Sequence, residues 1–362
     1  MSWRATGRVE RMAEDTTRGP QRTSQVLLLL FLAGICSRGY GYYNQTLKDA
    51  PQTWMDVVHG TAAAPEQYRV GVVMAAWWTT QHLHWGQSGL RLSQVFGMLD
   101  LLGSALAVLL LYSLLTRTVV FRRASGAMQW FGSAAFVALT LYLVDWTNWY
   151  QKVSTLPTAG LVAAMLWLWT PRRESAPSAS EQALLAAAFF ALAGAQSFVR
   201  ADVAMLVCAG IFVAALLHLG QLALPRGTAL AVSALAALGV AAVQLYLMRV
   251  RYPQASYQGV PVVMLTHDWR RLTNWASALI FLAPLLWTLA QAVRRRYAGA
   301  GAGAAMLLAA LGYAAVWLVL GRIEEVRIFL PMALAVTPVT VEMAMLSAAG
   351  AEAPDREAGR RW

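Results

Sequence analysis

About ten long apolar runs, separated by short polar loops, fill this chain of 362 residues. Runs of roughly 17–25 apolar residues match a ~30 Å hydrocarbon core, and no soluble domain needs ten of them. In a bilayer each spanning segment satisfies its own backbone hydrogen bonds as a helix. The expected fold class is therefore all-α: a polytopic integral membrane helix bundle with about ten transmembrane helices.

The polar loops alternate in character. One set is plainly Arg-rich: Arg4, Arg8, Arg11, Arg18 and Arg22, then Arg117, Arg122 and Arg123, then Arg172 and Arg173, then Arg226, then Arg294 to Arg296. The positive-inside rule puts this set in the cytoplasm. The formal net charge of +11 is thereby accounted for by topology, and nucleic acid is not an expected partner. Arg outnumbers Lys 27 to 2 and Ala is abundant, as in a GC-rich bacterial genome. The expected location is the bacterial inner membrane, multi-pass, with N- and C-termini cytoplasmic.

The chain divides into a cytoplasmic N-terminal tail (1–22), a multi-span membrane domain (23–348) and a cytoplasmic C-terminal tail (349–362). Spans are expected at about 23–40, 91–115, 127–145, 156–170, 182–198, 203–223, 228–248, 272–293, 302–320 and 328–348. The leader before the first run is long, and Ile35 stands where a lipoprotein signal needs a small residue, so the first span is read as retained. The long outer loops are 41–90 and 249–271. Within the first, RVGVVMAAWWTTQHLHWGQSGL is only half apolar, which fits an interfacial or re-entrant helix better than a full span. Cys36 and Cys208 both fall inside apolar runs, as small hydrophobes do, so neither a disulfide framework nor a zinc site is expected.

The outer loops carry both charge signs and four of the five histidines. Two clusters sit where spans meet loops. Arg200 and Asp202 occupy a turn of a few residues between two apolar runs, and Glu324, Glu325 and Arg327 immediately precede Phe329-Leu330-Pro331. Charges so close to hydrocarbon are costly unless paired, hydrated or used. One reading is a set of salt bridges tying helix ends together. The other is an anionic-ligand site in which Arg holds phosphate and a carboxylate acts as base. Arg69 and the pair His267 and Asp268 belong to the same substrate-binding set.

Other polar residues carry less. Asp100 either faces the site or pairs with an Arg, and Glu342 and His218 read as interhelical partners. His82 and His84 are two apart, which places them on different helix faces, so no metal site is assigned. The GAGAGA stretch at 299–304 allows close helix packing. No motif calls for a cofactor.

A cytoplasmic N-terminus, a long first outer loop carrying acids and about ten spans with charged outer loops together resemble the GT-C-type membrane glycosyltransferases of bacteria. The segments GTAAAPEQYRVGVVMAAW and EEVRIFLPMALAVTPVTVE look like stretches found in polytopic bacterial proteins. The resemblance implies sugar transfer from a polyprenyl-phosphate carrier at the outer face. It further implies an acid of the first outer loop as base and outer Arg residues on the phosphate. Carried over by position, the base is Asp56, with Asp49 behind it, and the phosphate partners come from Arg69, Arg200 and Arg327. The paired acids usual in that class just after the first span are absent, since Asp49 and Asp56 stand seven apart.

Asp56 lies between apolar neighbours in Trp54-Met55-Asp56-Val57-Val58, where folding against the membrane surface would desolvate it. The alternative is an amphipathic surface helix with Asp56 in water. Two other functions remain open on the residues alone: a transporter or flippase of a lipid-linked or anionic substrate, and a non-catalytic envelope-assembly protein.

Overall fold

A computed structural model describes residues 26–348 except 27, 31, 35–36, 38–39, 47–51, 65, 84–90, 148–152, 172–176, 256–271, 295–300 and 321–325. Both expected tails thus lie outside the described residues. The described chain is helical. In order it forms α1 (Gln52–His59), α2 (Val70–His82), α3 (Leu92–Arg117), α4 (Val119–Arg123), α5 (Gly126–Thr147) and α6 (Thr155–Leu168). Then come α7 (Ala179–Leu216), α8 (Arg226–Tyr246), α9 (Leu272–Arg294), α10 (Gly301–Leu320) and α11 (Leu330–Ala348). Residues between 26 and 46 that are described are also helical.

Seven of these helices are long and apolar enough to cross a membrane. The protein is a polytopic helical membrane protein; among the described residues that measure gives seven spans rather than about ten, and much of the first expected span, 23–40, lies outside them. Two differences have physical causes. Helix α6 has 14 residues, or roughly 21 Å of rise, short of a full hydrocarbon core. Helix α7 has 38 residues and contains both the fifth and the sixth expected runs.

Helix α7 reverses direction at Arg200, whose φ of −156° and ψ of 90° are extended rather than helical. Trp169 fixes the geometry. Its ring packs on Phe189 with centroids 5.2 Å apart, and its carbonyl accepts from the Ala223 N–H at 2.9 Å. A straight helix would hold residues 189 and 216 about 40 Å apart, so the two halves of α7 lie back to back. Helix α8 then runs antiparallel to the second half. Arg226 donates to the Ala215 and Leu216 carbonyls at its start, and Gln244 donates to the Ser197 carbonyl near its end.

The remaining contacts divide the bundle into two ends. Arg117, stacked over Trp167 at 5.1 Å, and Arg226 share one end, where α10 begins with the Gly301 N–H on the Gln221 carbonyl. The opposite end holds Arg69, Arg200 and Tyr313. Among the described residues, Arg117 and Arg226 thus lie at one end of the bundle and Arg69 and Arg200 at the other.

Helix α11 is the axis of the bundle, with nearly every residue from Leu330 to Leu346 buried. Close helix crossings depend on small residues. A Cβ on Gly103 of α3 would stand 2.5 Å from the Leu156 carbonyl oxygen of α6, and one on Gly160 would stand 2.7 Å from the Gly103 oxygen. A second, smaller core caps the mixed-sign end. It joins Tyr43, Val57, Tyr68, Val72, Phe96 and Tyr252, and so fastens α1 and α2 to α3.

Helix α2 is the 69–90 segment that reads as interfacial or re-entrant. At 13 residues it is too short to cross. Its inner face is buried through Val70, Val72, Val73 and Ala76, while Met74 and Trp78 are exposed. His82 stacks on Trp78 at 4.6 Å and hydrogen-bonds that residue's carbonyl; His84 lies outside the described residues. His218 is not an interhelical partner. It is exposed just past the end of α7, where its φ of 55° reverses the chain.

Candidate functional site

The break at Arg200 gathers the polar groups of the mixed-sign end. The Arg200 guanidinium, 4% exposed, grips the Asp202 carboxylate with two bonds, Nε to Oδ1 at 3.2 Å and Nη2 to Oδ2 at 2.5 Å. A fork on a carboxylate is the strong geometry for such a pair. Helix α10 supplies the rest. Arg200 Nη2 donates to the Tyr313 hydroxyl, which donates onward to the Ile328 carbonyl at 2.9 Å, and Trp317 Nε1 donates to Asp202 Oδ2 at 3.2 Å. The guanidinium also lies over both rings, 5.6 Å from Tyr313 and 5.4 Å from Trp317, in cation–π range.

This pairing explains why a charge can sit at a chain reversal inside an apolar bundle: three guanidinium N–H groups and both carboxylate oxygens are engaged. Beneath it, Gln196 donates to the Thr158 hydroxyl and to the Arg200 carbonyl. Because a carbonyl only accepts, the amide orientation is fixed, and Gln196 Oε1 is left buried with no hydrogen-bond partner among the described residues.

Arg69 stands beside this cluster at the start of α2. It is half-buried, and among the described residues its guanidinium makes no hydrogen bond or ion pair. Burial pulls its pKa below the ordinary arginine value. The Arg200 charge pulls the same way, while Asp202, Tyr313 and Glu66 oppose it. Arg69 remains a cation whose burial those groups offset only in part.

The sequence-derived set is thus partly united. Arg69, Arg200 and Asp202 come together. Arg327 belongs to the 3-10 turn Val326–Phe329, whose Ile328 carbonyl takes the Tyr313 proton, so its backbone is adjacent and its side chain lies outside the described residues. Asp49, His267, Asp268, Glu324 and Glu325 also lie outside them. Asp56 is described and half-buried on α1, and its carboxylate accepts from the Thr61 hydroxyl at 3.3 Å. The loop carrying it is tied to Arg69's neighbourhood by Gln67, which donates to the Val57 carbonyl and accepts from the Ala62 N–H. No contact among the described residues joins Asp56 to Arg200.

Asp100 partners neither an Arg nor this cluster. It is buried in α3, and its Oδ2 accepts from the Tyr43 hydroxyl at 2.6 Å. Tyr313 and Trp317 were not legible as site residues, because aromatics in an apolar run read as span or interface. Their four-residue spacing, which sets both on one helix face, was the available signal.

No family model, curated protein or solved structure matches the chain.

Proposed function

We propose that this is a GT-C-like membrane protein that transfers sugar from a polyprenyl-phosphate carrier at the outer face of the bacterial inner membrane. The observation that supports this reading is Arg69, a half-buried cation whose guanidinium makes no hydrogen bond or ion pair among the described residues, set against the Arg200–Asp202 ion pair. The two arginines divide the work. Arg200 is spent on holding the chain reversal, and Arg69 is the group left to meet a phosphate, which would relieve its cost of burial.

In the reaction, an acceptor hydroxyl attacks the anomeric carbon while the bond from that carbon to the carrier phosphate breaks. The electron pair leaves on the polyprenyl phosphate beside Arg69, and the hydroxyl proton passes to a first-loop carboxylate, Asp56 or Asp49. The test is transfer of radiolabelled sugar from a panel of polyprenyl-phosphate sugars to acceptor by membranes containing the full-length protein. Transfer lost in Asp56→Asn or in Asp49→Asn, and weakened about tenfold in Arg69→Gln, supports the reading. Absence of transfer from every carrier refutes it.

A transporter or flippase is the second reading. It is favoured by Asp100, a carboxyl inside a spanning helix with one oxygen unpartnered among the described residues, since acids within the membrane mark pathways as well as sites.

A further inference from the structure

Two buried polar atoms of opposite sense lie on one aromatic cluster, away from Arg200. Asp100 Oδ1 is an acceptor, and Trp54 Nε1 is a donor. Both are buried, and neither has a hydrogen-bond partner among the described residues. Phe96 connects them. It packs edge-on against Trp54 and against Tyr43, each with ring centroids 5.5 Å apart, and it precedes Asp100 by one helical turn on the same face of α3. Tyr43 closes the group through its hydrogen bond to Asp100 Oδ2. Buried polar atoms are almost always paired, so two orphans at one place call for an explanation.

We infer that the Phe96–Asp100 face of α3, roofed by α1, is a binding site for a hydroxyl group of a sugar or polyol. A hydroxyl both accepts, from the indole N–H, and donates, to the carboxyl oxygen. A fully ionised phosphate monoester has no proton to offer the free carboxyl oxygen. An ammonium pairs with Asp100 but cannot accept from Trp54. The three rings give an apolar wall with a few convergent polar atoms, the usual composition of a small-molecule pocket, and they suit the C–H face of a sugar. Trp54 belongs to α1, an eight-residue helix whose Gln52 and His59 are exposed. Asp56, two residues beyond Trp54, rides on the same helix. The inference rests on the reading of the protein as one that handles sugar, and it names a place for the sugar or acceptor separate from the phosphate.

The test uses the full-length protein in nanodiscs, titrated with methyl glycosides of glucose, mannose, galactose and N-acetylglucosamine. The readout is a saturable rise in melting temperature, judged against betaine as a non-specific osmolyte control. Asp100→Asn keeps an acceptor for Tyr43 and replaces the free acceptor with a donor; Trp54→Phe keeps the ring and removes the N–H. The expected result is that at least one glycoside stabilises the wild type and that both variants bind it at least tenfold more weakly. Should Asp100→Asn fail to fold, Trp54→Phe carries the comparison. Equal response in wild type and variants, or no response to any glycoside, overturns the site. So does a high-resolution structure in which a single ordered water joins Trp54 Nε1 to Asp100 Oδ1. Glycoside binding without any sugar transfer would retain this site and refute the transferase reading; transfer unaffected by either substitution would do the reverse.

Discussion

Arg200 and Tyr313 hold each other in two ways: Arg200 Nη2 donates to the Tyr313 hydroxyl, and the guanidinium lies 5.6 Å from the centre of the same ring. The hydroxyl in turn donates a hydrogen bond to the Ile328 carbonyl. One phenol therefore fastens the reversal in α7 to α10 and to the turn that leads into α11. Three elements distant in sequence meet through a single oxygen.

That arrangement predicts an order of stabilities. Tyr313→Phe leaves the Ile328 carbonyl and one guanidinium N–H unpaired and should cost about 1–3 kcal/mol. Asp202→Ala leaves the buried Arg200 charge without its acid and should cost about 3 kcal/mol, the low end for a broken buried pair, because the Asp202 side chain retains 27% exposure. Thermal melts in detergent measure both. The two losses should not add, because both residues serve the same guanidinium.

Arg69 should behave in the opposite direction. It is desolvated and repelled by Arg200, so Arg69→Gln should raise stability by roughly 0.5–1 kcal/mol, as removal of a strained functional group commonly does. The same variant should lose any stabilisation by long-chain alkyl phosphate. A melt showing marked destabilisation by Arg69→Gln would make Arg69 a structural residue.

The helices themselves were legible because an apolar run long enough for a bilayer has one backbone solution. The Arg200-Asp202 turn was also legible, since charges between two such runs mark a chain reversal. Its shortness was legible too, but not that one residue makes it. A single extended residue reverses α7, and only contacts such as Trp169 with Phe189 and with Ala223 reveal it. The partners of the site were hidden for a different reason. Tyr313, Trp317 and Tyr43 are ordinary apolar-run residues until tertiary packing directs their hydroxyl or N–H groups to Asp202, Arg200 or Asp100. The short α6 was visible as a short run, but the Gly103–Gly160 crossing that seats it depends on register between two helices, which no single sequence shows.

That crossing is itself testable. A methyl group at Gly103 would overlap the Leu156 carbonyl and the Pro157 Cα, which are backbone atoms and cannot rotate away. Gly103→Ala should therefore push α3 from α6 and cost about 1–3 kcal/mol, read as a lowered melting temperature. Gly194→Ala, where nothing lies within 4 Å, is the control and should melt like the wild type.

The segregation of the bundle ends predicts compartment. Single cysteines placed next to Arg123, Arg226 and Arg294, in a variant with Cys36 and Cys208 replaced by Ser, should all be labelled from the same side of the membrane. Cysteines beside Arg69 and Tyr252 should be labelled from the other. The positive-inside rule makes the first side the cytoplasm. Labelling of residue 226 and residue 252 from one side would break the topology, because α8 would then fail to cross.

The final prediction concerns the proton acceptor. Asp56 sits on α1 with its carboxylate on the Thr61 hydroxyl, and α1 is held through the Gln67 bonds to Val57 and Ala62. Asp56→Asn keeps an oxygen for Thr61 and leaves those two bonds untouched, so it should fold like the wild type while removing the basic group. If Asp56 is the base, sugar transfer should fall by at least 10²-fold, the lower range for general-base loss, at unchanged protein level and melting temperature. Thr61→Val should give a milder loss, because it alters only the carboxylate's setting. If Asp56→Asn keeps full activity and Asp49→Asn does not, the base is Asp49. Full activity in both single variants and in the double variant would take the first loop out of the chemistry, and the buried carboxyl of Asp100 would then favour transport.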